Sequence, residues 1–276
     1  MCAPQYLSTA IPNNVFMKQE KIDIPRAMTL WKRSVNVLKA LDVDVLEIPA
    51  VKGCQDQTYV ANVATAIEPF IVLANYKADG RPCETPPARK FFTNLGYNCI
   101  QPPFYQEGEA DLKKWKSGVY FGGWGKFSDQ RAYDWISKKT GAQIIPIHEV
   151  SDALYHLDCS LMVIDEENFL VTEAGMDKAS LKTLGKLANI IITPPDVAPT
   201  GITNGVILPH KKIYMSGTFM PEEKSYRKAM EWLMVTMDKL GYSVILTDTD
   251  EFSKSGADLS CQVMHLDFEP NGPRGE

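Results

Sequence analysis

A thiol, an imidazole and a set of carboxylates are the residues of this chain that could do chemistry together. Cys261 opens a short apolar run, Cys261-Gln262-Val263-Met264-His265-Leu266, that follows the small, turn-prone Ser255-Gly256-Ala257-Asp258. Most free cysteines are buried core residues. A thiol at a loop-to-strand junction can instead be aimed into a cleft, and it becomes a nucleophile where its neighbours favour the thiolate. Tyr155-His156-Leu157-Asp158 precedes the apolar strand Ser160-Leu161-Met162-Val163-Ile164, and strand alternation would put His156 and Asp158 on one side. Histidine is the side chain most readily tuned for proton transfer near neutral pH. Gln106-Glu107-Gly108-Glu109-Ala110-Asp111 is an acidic loop; its ordinary reading is solvated surface, its functional one a cluster that holds a cation or orients the histidine. Residues 55–62 alternate polar and apolar side chains, as a half-exposed strand does, and contribute Asp56, Tyr59 and Asn62. Several carboxylates around a thiol suit a planar cation such as a guanidinium, which they grip bidentately. No H-E-x-x-H, G-x-S-x-G, Walker or dinucleotide motif competes with that reading, and Gly122-Gly123-Trp124-Gly125 reads as a turn.

The elements that must position these residues repeat. Five times an amphipathic helix is followed by a short break and a β-branched strand: helix 24–41 with strand 43–48, 84–95 with 97–100, 128–139 with 142–147, 178–187 with 190–192, and 222–240 with 242–246. Helical spacing of apolar residues and a glycine stop support three of these units. Further strands are expected at 70–75, 118–123, 160–165 with 169–172, 205–208 with 213–215, and 261–268. A period of roughly 45–55 residues implies one ring of similar units, a single α/β domain over 1–276. The polar residues fall in the segment after each helix-strand unit: Asp56 and Asn62, Glu107 and Asp111, His156 and Asp158, Asn204, then Cys261. In a ring, equivalent positions converge on one central site.

The 276 residues carry 29 Lys+Arg against 34 Asp+Glu, and without a dense basic run nucleic acid is excluded as a partner. No signal-peptide pattern opens the chain, and apolar stretches such as 67–74 are too short to span a bilayer. Six cysteines, at 2, 54, 83, 99, 159 and 261, show no C-x-x-C. That argues against a zinc site and a disulfide scaffold and fits reduced thiols in a cytosol.

The ordered set Asp56-x-x-Tyr59-Val60-x-Asn62, Glu107-Gly108-x-Ala110-Asp111, His156-Leu157-Asp158 and Ser255-Gly256-Ala257…Cys261 resembles the guanidine-modifying (pentein, or amidinotransferase) superfamily. Arginine deiminase, dimethylargininase, amidinotransferases and arginine dihydrolases belong to it. Met1-Cys2-Ala3-Pro4 and Asn14-Val15-Phe16-Met17 resemble the dihydrolase branch. The resemblance implies a five-bladed pseudo-symmetric α/β propeller in the cytoplasm that needs no cofactor or metal, with a small guanidine as partner and homo-oligomerisation open. It implies Cys261 as nucleophile, His156 as general acid/base and Glu107 as its orienter, with Asp158, Asn62, Asp56, Arg81, Asn14 and Tyr59 at the substrate. Arg81 matches an arginine that binds a substrate carboxylate, and Asn62 stands where deiminases carry aspartate. Ala110 and Ala257 replace glycines of the family pattern, and Phe127 replaces a second carboxylate-binding arginine. The implied reaction is hydrolysis at a guanidino carbon, of the dihydrolase kind that yields ornithine, two ammonia and carbon dioxide. A single hydrolysis, by a deiminase or dimethylargininase, is the alternative, and a non-catalytic guanidinium- or protein-binding propeller the second.

Overall fold

A computed structural model describes residues 1–17, 20–218 and 224–270. Seven helices are described: α1 (Ile24–Ala40), α2 (Thr85–Asn94), α3 (Gly108–Asp111), α4 (Gln130–Thr140), α5 (Lys178–Leu187), α6 (Lys224–Lys239) and α7 (Asp250–Ser253). Twelve strands form four three-stranded sheets. The first is β1 (Ala64–Ile67), β2 (Phe70–Leu73) and β3 (Asn98–Ile100); the second is β4 (Leu112–Lys116), β5 (Val119–Trp124) and β6 (Gln143–His148). The third is β7 (Leu161–Val163), β8 (Asn168–Val171) and β9 (Asn189–Ile192); the fourth is β10 (Val206–Leu208), β11 (Ile213–Thr218) and β12 (Ser243–Asp248). Each sheet is built alike. Its first two strands form an antiparallel hairpin, and a helix then carries the chain back to a third strand parallel to the second. A parallel neighbour requires such a crossover.

The helices form where the sequence supplies caps and an apolar stripe. Asp23, Asp129 and Asp177 each accept a hydrogen bond from a first-turn backbone N–H of α1, α4 and α5, the usual work of an N-cap. Each helix seals its own sheet: Ala88 and Phe92 of α2, Tyr133 and Ile136 of α4, Leu184 of α5, and Leu233 and Met237 of α6 are buried in separate clusters. Burying a side chain of that size stabilises by about 1.5–3 kcal/mol. The α1 stripe, Leu30, Trp31, Val35 and Leu38, packs into the cluster that holds Phe252, Leu259 and Cys261.

Mixed α/β architecture and the helix-strand rhythm agree with the sequence; the helix expected at 222–240 begins at Lys224, with 222 and 223 outside the described residues. Three expectations fail. The segment 43–48 forms no strand; it meets the N-terminus through a Cys2–Ile48 bridge and through Leu46 O, which accepts from the Met1 amine at 2.8 Å. Cys261 lies on a 3-10 turn, Ser260–Gln262, and no strand follows it among the described residues. Gly122 and Gly123 are strand residues of β5, packed so closely on Tyr133 and Leu157 that a Cβ at either would lie 2.8 Å from them. The thiols are not all reduced either: Cys54 and Cys83, with Cα atoms 5.8 Å apart, are joined as a disulfide. No described helix is long and apolar enough to cross a membrane.

Candidate active site

The segments that enter the first strand of each sheet meet at one place. Asn62 ends a 3-10 turn just before β1, Glu107 caps α3 and Asp111 ends it before β4, His156 precedes and Asp158 lies within a 3-10 turn before β7, and Asn204 precedes β10. The turn of Cys261 is the fifth. Residues 55–62 are buried turns and not a half-exposed strand, and the acidic segment 106–111 is buried throughout. Close approach of these turns depends on Gly108. Its φ is +58°, and a Cβ there would lie 2.3 Å from Ala61 O, so only glycine fits.

One pocket is lined by Asn14, Asp56, Tyr59, Asn62, Arg81, Glu107, His156 and Cys261, together with Asn13, Met17, Phe127 and Tyr155. Every expected site residue except Asp158 therefore faces it. Asp158 is fully buried beneath the thiol, with Oδ2 accepting from Ser260 Oγ at 3.1 Å and from Cys261 Sγ at 3.7 Å. Asn204 completes the thiol's surroundings: its Nδ2 donates to Sγ at 3.4 Å, and its Oδ1 is 3.5 Å away.

His156 Nε2 is 3.1 Å from Glu107 Oε2. Asn62 Nδ2 donates to the same oxygen at 3.4 Å and is 3.4 Å from both ring nitrogens. Behind the ring, Asp111 accepts from Ser128 Oγ at 2.5 Å and from Leu157 N at 3.1 Å. Burial works against a charged imidazole, but Asp111 and Glu107, then Asp158, outweigh it and raise the His156 pKa. Burial likewise pushes Glu107 upward, yet His156 and Arg81 hold it below the usual carboxylate range. Both shifts favour a buried imidazolium-carboxylate pair. Burial, then the Asp158 carboxylate, pushes the Cys261 thiol well up, so at rest it keeps its proton.

Arg81 donates Nε and Nη2 to Glu84, each at 3.0 Å, and its Nη1 is 3.6 Å from Glu107 Oε2. Asp56 Oδ2 accepts from Asn13 Nδ2 at 2.8 Å and Gln55 Nε2 at 3.1 Å. Tyr59 bonds Ser255 Oγ, and Asn14 Nδ2 donates to Ser255 O at 3.0 Å, fixing the loop that leads to the thiol. At Gly256 in that loop a Cβ would lie 2.7 Å from Phe16. Two carboxylate oxygens, Asp56 Oδ1 and Glu107 Oε1, are buried with no hydrogen-bond partner. Such orphans are rare in folded proteins; on two pocket-lining side chains they leave acceptors for a cation's N–H groups. Among the described residues no group of three His, Cys, Asp or Glu side chains is arranged to hold a metal ion.

No family model matches the chain. It is 24% identical over 188 residues to dimethylarginine dimethylaminohydrolase of Mycobacterium tuberculosis, an alignment covering 68% of this chain and 62% of that protein. It is 21% identical over 271 residues to the bifunctional arginine dihydrolase/ornithine cyclodeaminase AgrE of a Nostoc species, covering 96% of this chain and 37% of the relative. The chain therefore spans less than two thirds of the length of either. The N-terminal domain of the cyanobacterial arginine dihydrolase ArgZ, bound to product, superposes with a TM-score of 0.88 at 21% identity, over 99% of this chain and 98% of that one. The fold is that of the pentein-type guanidine-modifying enzymes. Another structure of that domain holds a covalently bound reaction intermediate (TM-score 0.88, 20% identity, 99% and 98% covered).

Within this pentein-type fold, sequence reasoning passed over several residues that touch the site. Asn13 and Gln55 hold Asp56, Ser260 holds Asp158, and Glu84 fixes Arg81. Glu149 lies buried behind Gly123, both carboxylate oxygens unpartnered, and burial first, then Asp111, pushes its pKa well up. Asn13 and Ser260 meet partners 43 and 102 residues away, which no local pattern marks.

Proposed function

We propose that residues 1–276 form one catalytic domain that hydrolyses a guanidine, arginine or a relative of it, at the guanidino carbon. The observation that carries this reading is the pocket itself: Cys261 and His156 line it together with Asp56 and Glu107, each of which keeps one buried carboxylate oxygen without a partner. Buried acceptors of that kind cost stability unless a ligand fills them. The cation brings positive charge beside Asp158 and the thiol. Sγ gives up its proton, for which Asp158 Oδ2 at 3.7 Å is the nearest carboxylate acceptor, and the thiolate attacks the carbon. His156, charged at rest beside Glu107, protonates the departing amine. A thiouronium remains on Cys261; water then gives His156 a proton, attacks the same carbon and releases the thiolate.

The dihydrolase form of this reaction is favoured by Asn62. Its neutral amide lies 3.4 Å from both Glu107 and His156, where an aspartate would add a charge to grip the guanidinium and turn away a neutral ureido product. With an amide the ureido group keeps a place for a second attack. We also read the fifth blade of a propeller in the two ends of the chain. Ile48 N donates to Met1 O at 2.9 Å, Cys2 bridges Ile48, and Met264 and Leu266 pack on the same cluster. The test is a count of ammonia and product from arginine and N-methylated arginines. Two ammonia per molecule consumed supports the dihydrolase; one, with a ureido end product, puts the chain with the deiminases; none from any guanidine ends the catalytic reading.

A further inference from the structure

The two ends of the pocket differ in charge. Arg81, the one arginine among the described residues that line it, is turned toward the reacting end. Two of its nitrogens are bound to Glu84, the third is 3.6 Å from Glu107, and Cζ stands 4.8 Å over the Tyr76 ring. Glu107 is the partner of His156, so the positive charge of Arg81 is already opposed by two carboxylates beside the catalytic pair. Among the described residues, the cation beside the Phe127 and Tyr155 rings is Lys126, and it is already engaged. Its Nζ donates to Asp152 Oδ1 at 2.8 Å, and it lies 5.7 and 6.0 Å from the ring centroids of Phe127 and Tyr155. Those two rings pack edge to face, 5.8 Å apart, and Phe127 continues to the His156 ring at 5.1 Å. The amides of Asn13 and Asn14, which line the same pocket, are held by Asp56 and Ser255. Among the described residues, a substrate tail leaving Cys261 thus meets aromatic faces and engaged amides, and no free cation. A carboxylate carried there would be desolvated without a partner, which is costly; an alkyl chain would gain by burial.

We propose that Phe127 and Tyr155 select a guanidine whose tail is apolar and carries no carboxylate, an N-alkylguanidine. This rests on the reading of Cys261 as a nucleophile toward a guanidinium. The test measures how fast 2-chloroacetamidine alkylates Cys261 in the full chain, by intact mass and peptide mapping, with butylguanidine or L-arginine as competitor. Butylguanidine is expected to halve the rate at a concentration at least tenfold below that of arginine, and Phe127→Arg to shrink that ratio at least tenfold. Equal or stronger protection by arginine in the unaltered chain overturns the selectivity and leaves the guanidinium site standing, and so does labelling that neither compound slows. Failure of the amidine to label Cys261 at all overturns the guanidinium reading, and the selectivity with it. The unaltered chain decides even where Phe127→Arg does not fold.

Discussion

Replacing Glu107 with glutamine keeps the shape of the side chain and removes its charge. In the structure Oε2 is 3.1 Å from His156 Nε2 and 3.6 Å from Arg81 Nη1, so the substitution turns a charge-assisted hydrogen bond into a neutral one and leaves Arg81 less compensated beside the ring. Hydrogen bonds to charged groups contribute roughly 1.5–3 kcal/mol against about 1 for neutral ones. With 1.36 kcal/mol for each pH unit, the pH at which His156 gives up its proton falls by roughly one unit in Glu107→Gln. The raised His156 pKa means that the proton is present at low pH and lost as pH rises through its folded value, so the alkaline limb of the rate profile belongs to it. That limb should move about one unit toward acid, and the plateau rate should fall by roughly 10- to 100-fold, part of what a general acid/base supplies. The assay is ammonia release between pH 5 and 9 on whichever guanidine is turned over. Asp111→Asn should move the limb the same way, because the Asp111 charge also raises His156. An alkaline limb that stays in place in both variants would refute the assignment of His156 as the titrating acid.

Asn62→Asp places a carboxylate 3.4 Å from Glu107 and from the imidazole; ammonia released per substrate should fall toward one, with the ureido compound accumulating, and an unchanged ratio of two would count against the role given to the amide. Asn204→Ala removes a donor 3.4 Å from Sγ that helps the thiolate against burial and Asp158, so iodoacetamide labelling of Cys261 should slow by roughly 2- to 10-fold, the worth of one hydrogen bond; faster labelling would contradict this. Burial raises Glu84, Asp111 and Asp258 to about 7, and a raised carboxyl stabilises below its ordinary range and loses that contribution as pH climbs through the folded value. Burial opposes but His265 and Lys113 hold Glu109 down at about 2, and its contribution is present above the ordinary carboxylate range and lost in acid. Thermal unfolding should therefore show its highest Tm near the ordinary carboxylate range, at roughly pH 4, and fall as pH climbs toward 7; a Tm still rising above pH 6 would oppose it.

The features legible in the sequence are those set by local periodicity. Stripes such as Leu30, Trp31, Val35 and Leu38 define a helix wherever it packs, and the regular return of helix and strand put the polar segments at equivalent points. Ladder partners were not legible. Val43-Asp44-Val45-Leu46-Glu47-Ile48 and Val263-Met264-His265-Leu266 have the composition of strands, but strand propensity depends on neighbours across the sheet, and these segments lie at the joined ends of the chain, where one bridge is made. The hairpin strand β4 hid in Leu112-Lys113-Lys114-Trp115-Lys116 because its lysines read as solvated. Lys113 is in fact buried against Glu109 at 3.7 Å. The acidic segment was legible in part: a cluster beside the histidine was one of its two readings, and Glu107 lies beside His156, 49 residues away, whereas nothing local marked the meeting of Glu109 with His265, 156 residues away. The disulfide joins Cys54 to Cys83 across 29 residues with no motif to announce it.

The central claim is that Cys261 forms a bond to a guanidino carbon during turnover. Intact-mass analysis of the full chain, quenched in acid during turnover of a guanidine, tests it most directly. The account predicts a species heavier by the substrate less one ammonia, mapped to Cys261 and absent in Cys261→Ser, which should also release no ammonia because an alcohol ionises far less readily than a thiol. Steady ammonia release from Cys261→Ser, or an adduct on any other residue, would contradict it.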